Sequence, residues 1–170
     1  PAGARTYEPN ALLPGYTAVH IRLLMRFYRL TGETKFLAGI PAALDWLESC
    51  RLPASMTDNG RYTHPVFVEI GTNKPLFVHR KGSNVAHGFY YVNNSDDKPN
   101  VHYGMKDRID VDALRREYEQ TKKISPEEAM KDSPLIPGKY TGPGIPQKYY
   151  DVKSQSYTAS AMNYSKRPAP

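Results

Sequence analysis

The stretch YTAVHIRLLMRFYRL, residues 16–30, decides the fold class. Its apolar residues Val19, Leu23, Leu24, Phe27 and Leu30 recur at intervals of three and four, the period of one helical face, with His20, Arg22, Arg26 and Arg29 interspersed. This spacing predicts a helix whose Val19-to-Leu30 stripe is buried. Thr31-Gly32 supplies a C-terminal stop, and Thr34 is a candidate cap for a second helix carrying Phe36, Leu37, Ile40, Leu44 and Leu47. Pro41 lies inside that segment, which predicts either a kink or a short first turn followed by a new start at Pro41, where a missing N–H is tolerated. The two segments should form an antiparallel hairpin, and the chain reads as mainly α.

Downstream the signals are weaker. Residues 51–64 are polar and loop-like, whereas Val66 to Val68 and Leu76 to Val78 are short β-favouring runs flanking the turn residues Gly71 to Pro75. Phe89 to Val92 reads as another short strand, followed by the polar turn Asn93 to Asp97. A last helix is expected from Asp110 or Asp112 to about Lys123, with Val111, Leu114 and Tyr118 on one side and acidic residues at its positive end. That stripe is narrow, so a surface position is expected. The final 39 residues, 132–170, hold six Pro, three Gly and five Tyr, a composition that favours extended chain resting on a host surface. The division expected is therefore 1–131 as the domain and 132–170 as a tail packed on it.

Composition narrows the function classes. Leu, Ile, Val and Phe number 33 of 170, close to the level of about 20% below which a chain struggles to offset its own ordering entropy, so a large self-sufficient core is not expected. The single Cys50 excludes an internal disulfide framework and a cysteine zinc cluster, and is expected to pack rather than react. Net charge is +6 with a pI near 9.3, which favours an anionic partner. Residues 51–91 carry five Lys or Arg against two Asp or Glu, yet no segment shows the dense basic clustering of a phosphate-backbone binder, so nucleic acid is not expected. No run suits a membrane span, and the N-terminus lacks the pattern of a signal peptide. Phosphate loops, dinucleotide fingerprints, nucleophile elbows and His-Glu-x-x-His pairs are absent, and the five His, residues 20, 64, 79, 87 and 102, form no helical ligand pair.

The informative run is Glu69-Ile70-Gly71-Thr72-Asn73-Lys74-Pro75-Leu76-Phe77, followed by Arg80. Lys74 and Arg80 are cations six residues apart on a chain shaped by Gly71 and Pro75 and anchored by apolar neighbours. This run resembles the segment Glu-Ile-Gly-Thr-Asn-Arg-Pro-Ile-Phe-x-x-Arg of the family 10 polysaccharide lyases, pectate lyases built as an (α/α)₃ toroid. Nine consecutive positions carry two conservative changes. Upstream, Ala4-Arg5-Thr6-Tyr7-Glu8 is similar to that family's Ala-Arg-Ala-Tyr-Glu, and Ala43-Leu44-Asp45-Trp46-Leu47 to its Ala-x-x-Trp-Phe. Arg108 to Leu114 resembles its late helix after an insertion covering much of 81–107. One departure touches the motif: Val66, preceded by Pro65, stands where the family has an arginine, so a substrate contact is missing or supplied by Arg61 or His64.

The resemblance implies the C-terminal portion of such a toroid: one helical hairpin, short β pieces and long loops, completed by an N-terminal portion as a separate or missing chain. It implies cleavage of polygalacturonate or a related uronate polymer by β-elimination, in a secreted, periplasmic or cell-surface setting, with calcium as cofactor and no ligands assignable here. Arg80 falls on the family's base. Lys74, Arg51, Asn73 and Arg5 fall on positions implied to hold substrate, Arg5 with the alternative role of tying Glu8 or the hairpin entry in place; Lys74 keeps an arginine's charge but loses its bidentate fork. Trp46 is expected in the core rather than as a sugar platform. Two alternatives stay open: a non-catalytic carbohydrate-binding protein on the same scaffold, or another sugar enzyme of the α/α class.

Overall fold

A computed structural model describes residues 5, 7–82, 88–100 and 104–136. Pro14 opens the first helix, α1 (Pro14–Thr31), at a position that needs no N–H, and Gly32 ends it in a left-handed conformation with its N–H on Tyr28 O at 2.8 Å. A single 3₁₀ turn, Thr34–Phe36, precedes α2 (Ile40–Ser49), in which Pro41 occupies the first turn. The second helix thus restarts at the proline instead of kinking, and Thr34 caps nothing. Asp110 caps α3 (Val111–Thr121), its carboxylate accepting from Ala113 N at 2.8 Å, and Ser125 caps the short α4 (Pro126–Met130) by accepting from Glu128 N at 3.2 Å. Each such cap contributes about 1 kcal/mol.

The helices close on one another. Ile21, Met25 and Tyr28 of α1 meet Ile40, Leu44 and Leu47 of α2 and Val111 and Leu114 of α3 in the main core. The buried face of α1 therefore runs through Ala18, Ile21, Met25 and Tyr28, while Tyr16, Val19, Leu23 and Phe27 are exposed. Of the stripe expected to be buried, Leu24 packs against the core and Leu30 is half-buried, but Val19, Leu23 and Phe27 are not covered, because the helix carries apolar residues on both sides and its partners cover only one. Tyr28 belongs inside because its hydroxyl donates to Ile124 O at 2.5 Å. The third helix lies at the surface as expected and sends its narrow stripe into the core, with Val111 and Leu114 each 1% exposed and Asp112, Arg115 and Arg116 exposed. Arg22 bridges to Glu117 and Arg115 to Asp45, tying α3 to both neighbours.

Between α2 and α3 the chain is β. Strands β1 (His64–Pro65) and β5 (Lys106–Asp107) pair antiparallel, and β2 (Phe67–Val68), β3 (Pro75–Lys81) and β4 (Phe89–Asn93) form a second antiparallel sheet in that order. Leu12 bridges to Val68 on the β2 side, so β4 is the outer strand among the described residues. A smaller core of Ala11, Leu52, Phe67, Phe77, Val78 and Met105 lies beneath. Lys106 joins the loops around it: burial pulls its ammonium down, but Asp58 at 2.7 Å and Asp96 at 2.8 Å hold it above its ordinary value.

The toroid expectation is overturned. Of the described residues 41% are helical and 15% lie in strands, which makes a small mixed α/β domain with two antiparallel sheets. The physical reason is that α3 returns onto α1 and α2, where a toroid would continue with further hairpins, and the sheets build a core of their own. The lean apolar content still fills two clusters. Residues 137–170, most of the Pro- and Tyr-rich tail, lie outside the described residues.

Candidate functional site

The turn from Glu69 to Lys74 is closed by Glu69 N on Lys74 O at 2.8 Å and Asn73 N on Glu69 O at 3.0 Å. It needs two left-handed residues, Gly71 at φ 86° and Asn73 at φ 56°, and asparagine is among the few side chains that tolerate that region. Glu69, the only acid of the motif, is engaged by the Thr72 hydroxyl. Asn73 is engaged on both sides of its amide: Trp46 Nε1 donates to Oδ1 and Nδ2 donates to Ser49 Oγ, each at 3.0 Å. Its side chain thus pins the turn to α2, which explains both its place in the motif and the half-burial of Trp46 against the core.

From this turn β3 carries the chain to Arg80. Phe77, Val78 and His79 are buried while Arg80 and Lys81 are exposed, so the strand is anchored in its middle and presents its far end, still paired with β4, to solvent. Arg80 is paired with Tyr90 of β4, and directly opposed residues share a face of the sheet. Tyr90 in turn meets the Tyr7 ring edge-on at 5.6 Å, and Arg5 Nη1 donates to the Tyr7 hydroxyl at 3.2 Å. Arg5 also approaches Glu8 Oε1 at 3.7 Å. Two of the expected site residues, Arg5 and Arg80, are therefore brought to one face across a pair of tyrosines. Among the described residues neither Arg80 nor Lys74 has an ion-pair partner.

Other expected residues fare differently. Arg51 follows Ser49, the partner of Asn73, by two positions, but its guanidinium is 2.5 Å from Glu48 Oε1, and that hydrogen bond raises it further above its ordinary value. It is a neutralised cation at the end of α2. His64 cannot replace the arginine absent at Val66, because it is wholly buried. Its Nε2–H donates to Leu47 O at 3.0 Å, which leaves Nδ1 to accept from Thr63 Oγ1 at 2.8 Å, and desolvation lowers its pKa, so the ring is neutral. Arg61 is exposed, its guanidinium 5.1 Å from the centre of the Tyr62 ring. Burial pushes the Cys50 thiol up, consistent with packing and not reactivity.

No protein-family model matches the chain. Neither does any curated protein or solved structure. The site is thus described by its own geometry. A depression of about 250 Å³ between Leu13, Tyr16, Val19, Val66 and Asp107, and an open one of about 420 Å³ along Asp112, Arg115, Arg116 and Glu119, contain neither Lys74 nor Arg80. Lys74 and Arg80 instead lie on the exposed surface of a hairpin, a shape suited to lying along a polymer and not to enclosing a small molecule. Among the described residues no group of three His, Cys, Asp or Glu is placed to hold a metal, and no helix is long and apolar enough to cross a membrane. Sequence reasoning passed over Tyr90 as a neighbour of Arg80. The signal was present in Phe89-Tyr90-Tyr91-Val92, where a two-residue period sorts the aromatics onto opposite faces, but the pairing register was needed to say which faces Arg80.

Proposed function

We propose that this chain binds a uronate polysaccharide of the polygalacturonate class and cleaves it by β-elimination, with Arg80 as the base. The observation that carries the proposal is the pair Lys74 and Arg80, both exposed and without ion-pair partners among the described residues, Lys74 just before β3 and Arg80 near its far end. Six residues of extended chain span about 20 Å. That separation is several pyranose units long, so the two contacts would fall on sugars some way apart along one chain. In the proposed step the neutral Arg80 guanidine takes the C5 proton of a uronate residue, and the electron pair so released forms the C4–C5 double bond. The C4–oxygen bond breaks, and the departing oxygen is protonated by solvent. Lys74 meets a substrate carboxylate, and Arg5 lies on the Arg80 face.

A guanidine acts as a base only where its charged form is disfavoured, by loss of water or by like charge. Arg51 is paired to Glu48 and supplies no like charge, so the bound polymer itself must exclude water from Arg80. Calcium belongs to the proposal through the resemblance alone, and its ligands would lie outside the described residues. A companion N-terminal portion and an extracytoplasmic setting belong to it on the same ground, and the outward stripe of Tyr16, Val19, Leu23 and Phe27 on α1 supports the companion.

The exposure of Arg80 favours one second reading, a carbohydrate-binding protein without catalysis. Following the ultraviolet absorbance of the unsaturated product as polygalacturonate is added, with and without calcium, separates the two. Turnover in the wild type that disappears in Arg80→Ala, with polymer binding retained, supports the lyase. Undiminished turnover in Arg80→Ala removes Arg80 from the base role, and binding without any product leaves the non-catalytic reading.

A further inference from the structure

The face of the β3–β4 hairpin opposite Arg80 carries aromatic rings that nothing so far explains. Lys81 is paired with Phe89 and His79 with Tyr91, so these four side chains share that face. The His79 ring is buried and fixed, its Nε2–H shared between Asn93 Oδ1 at 2.8 Å and Ser95 O at 3.0 Å. Tyr91 stacks on it at 5.1 Å with 17° between the planes. Tyr91 lies on β4, the outer strand among the described residues, and much of its ring stays open to solvent. Phe89 continues the row at 6.3 Å, and the two residues are 43% and 55% exposed. Lys81 is exposed beside them, without an ion-pair partner among the described residues.

We propose that this face is a second contact surface for an acidic polysaccharide, in which Tyr91 and Phe89 stack on the apolar faces of pyranose rings and Lys81 meets a carboxylate. The polymer's identity rests on the function proposed above; the surface does not, since it lies in residues 81–107, where the lyase resemblance has no counterpart. Stacking on a ring already held by His79 costs little ordering entropy, because Tyr91 is positioned before the ligand arrives. A single flanking cation suits a sugar chain better than a nucleic-acid strand, whose binders line a groove with several.

The test is affinity electrophoresis of the full chain through gels containing polygalacturonate, a neutral glucan or a single-stranded oligonucleotide. The expected result is retardation of the wild type by polygalacturonate and binding about tenfold weaker in Phe89→Ala/Tyr91→Ala. Tyr91→Phe, which keeps the ring, should bind as the wild type does, and the loss in Lys81→Ala should fade at high salt. Circular dichroism of the double variant checks that it folds; if it does not, Phe89→Ala alone, at a half-exposed position, carries the test. Wild-type retardation with no effect of the aromatic substitutions overturns this surface and leaves the proposed function standing. No retardation by polygalacturonate overturns both. Retardation by the oligonucleotide that is lost in the double variant assigns the face to nucleic acid and overturns the sugar.

Discussion

Replacing Asn73 separates a structural pin from a substrate ligand. In the fold its amide accepts from Trp46 Nε1 and donates to Ser49 Oγ, each at 3.0 Å, while its backbone sits at φ 56°. Each of these half-exposed neutral hydrogen bonds contributes about 0.5–1 kcal/mol net, so Asn73→Gly, which keeps the left-handed backbone at no steric cost, should lose about 1–2 kcal/mol. Asn73→Ala loses the same bonds and adds a left-handed penalty of about 1 kcal/mol, net of glycine's extra unfolded-chain entropy, for a total of about 2–3 kcal/mol. Trp46 is the only tryptophan, so urea unfolding followed by its fluorescence reports stability and the state of the indole at once. The native emission should move to longer wavelength in both variants as the turn leaves α2. If both variants unfold within about 0.3 kcal/mol of the wild type, below the smallest value expected for the two bonds, and the emission is unmoved, the pin is refuted. A loss of polymer binding without that change would then return Asn73 to the substrate.

Two further outcomes follow from the same fold. Desolvation lowers the pKa of His64 in the fold, so the unfolded chain binds the extra proton: stability should be fully present above about pH 6.5 and decline as the pH falls below it, by no more than about 1.4 kcal/mol per unit. Urea midpoints between about pH 7 and 5.5 check this, and an equal slope in His64→Gln would sink the assignment. Gly32 carries φ 69°, and a Cβ there would lie 2.8 Å from Met130 Sδ and 3.0 Å from the Pro126 carbonyl oxygen. Gly32→Ala should therefore cost more than Gly60→Ala, at φ 80° with open space around it, which reports the left-handed penalty of about 1–2 kcal/mol alone; equal thermal shifts contradict the contact with α4.

Much of the local structure was legible because it depends on near neighbours. An interruption at Pro41, the stop at Gly32, a helix opening at Asp110 or Asp112 and the β-favouring runs around the turn at Gly71 all follow from backbone chemistry within a few residues, although whether α2 kinks or restarts at Pro41 was settled only by the structure. The candidate site was partly legible for the same reason: the motif from Glu69 to Arg80 is one turn and one strand. What escaped were relations between distant segments. Pairing of His64 and Pro65 with Lys106 and Asp107 joins residues more than 40 apart in a stretch that reads as loop, and two-residue strands leave no periodicity to detect. Arg51 reads as a free cation until Glu48 is seen beside it.

α1 draws the division most clearly. Its sequence determines that residues 14–31 are helical, since proline opens the segment, glycine closes it and apolar residues return every three or four positions. It does not determine which side is inside. Residues two apart on a helix point about 200° from one another, so the stripes through Ile21 and Leu23 lie on nearly opposite sides and satisfy the same period. Only tertiary structure breaks the tie. The Ile21, Met25 and Tyr28 side meets α2 and α3, and the Tyr28 hydroxyl finds a carbonyl there; the side of Val19, Leu23 and Phe27 is left in water. The fold class was likewise decided by contacts between distant segments, α3 packing on α1 and α2 and the short strands building a core of their own, which no local periodicity specifies.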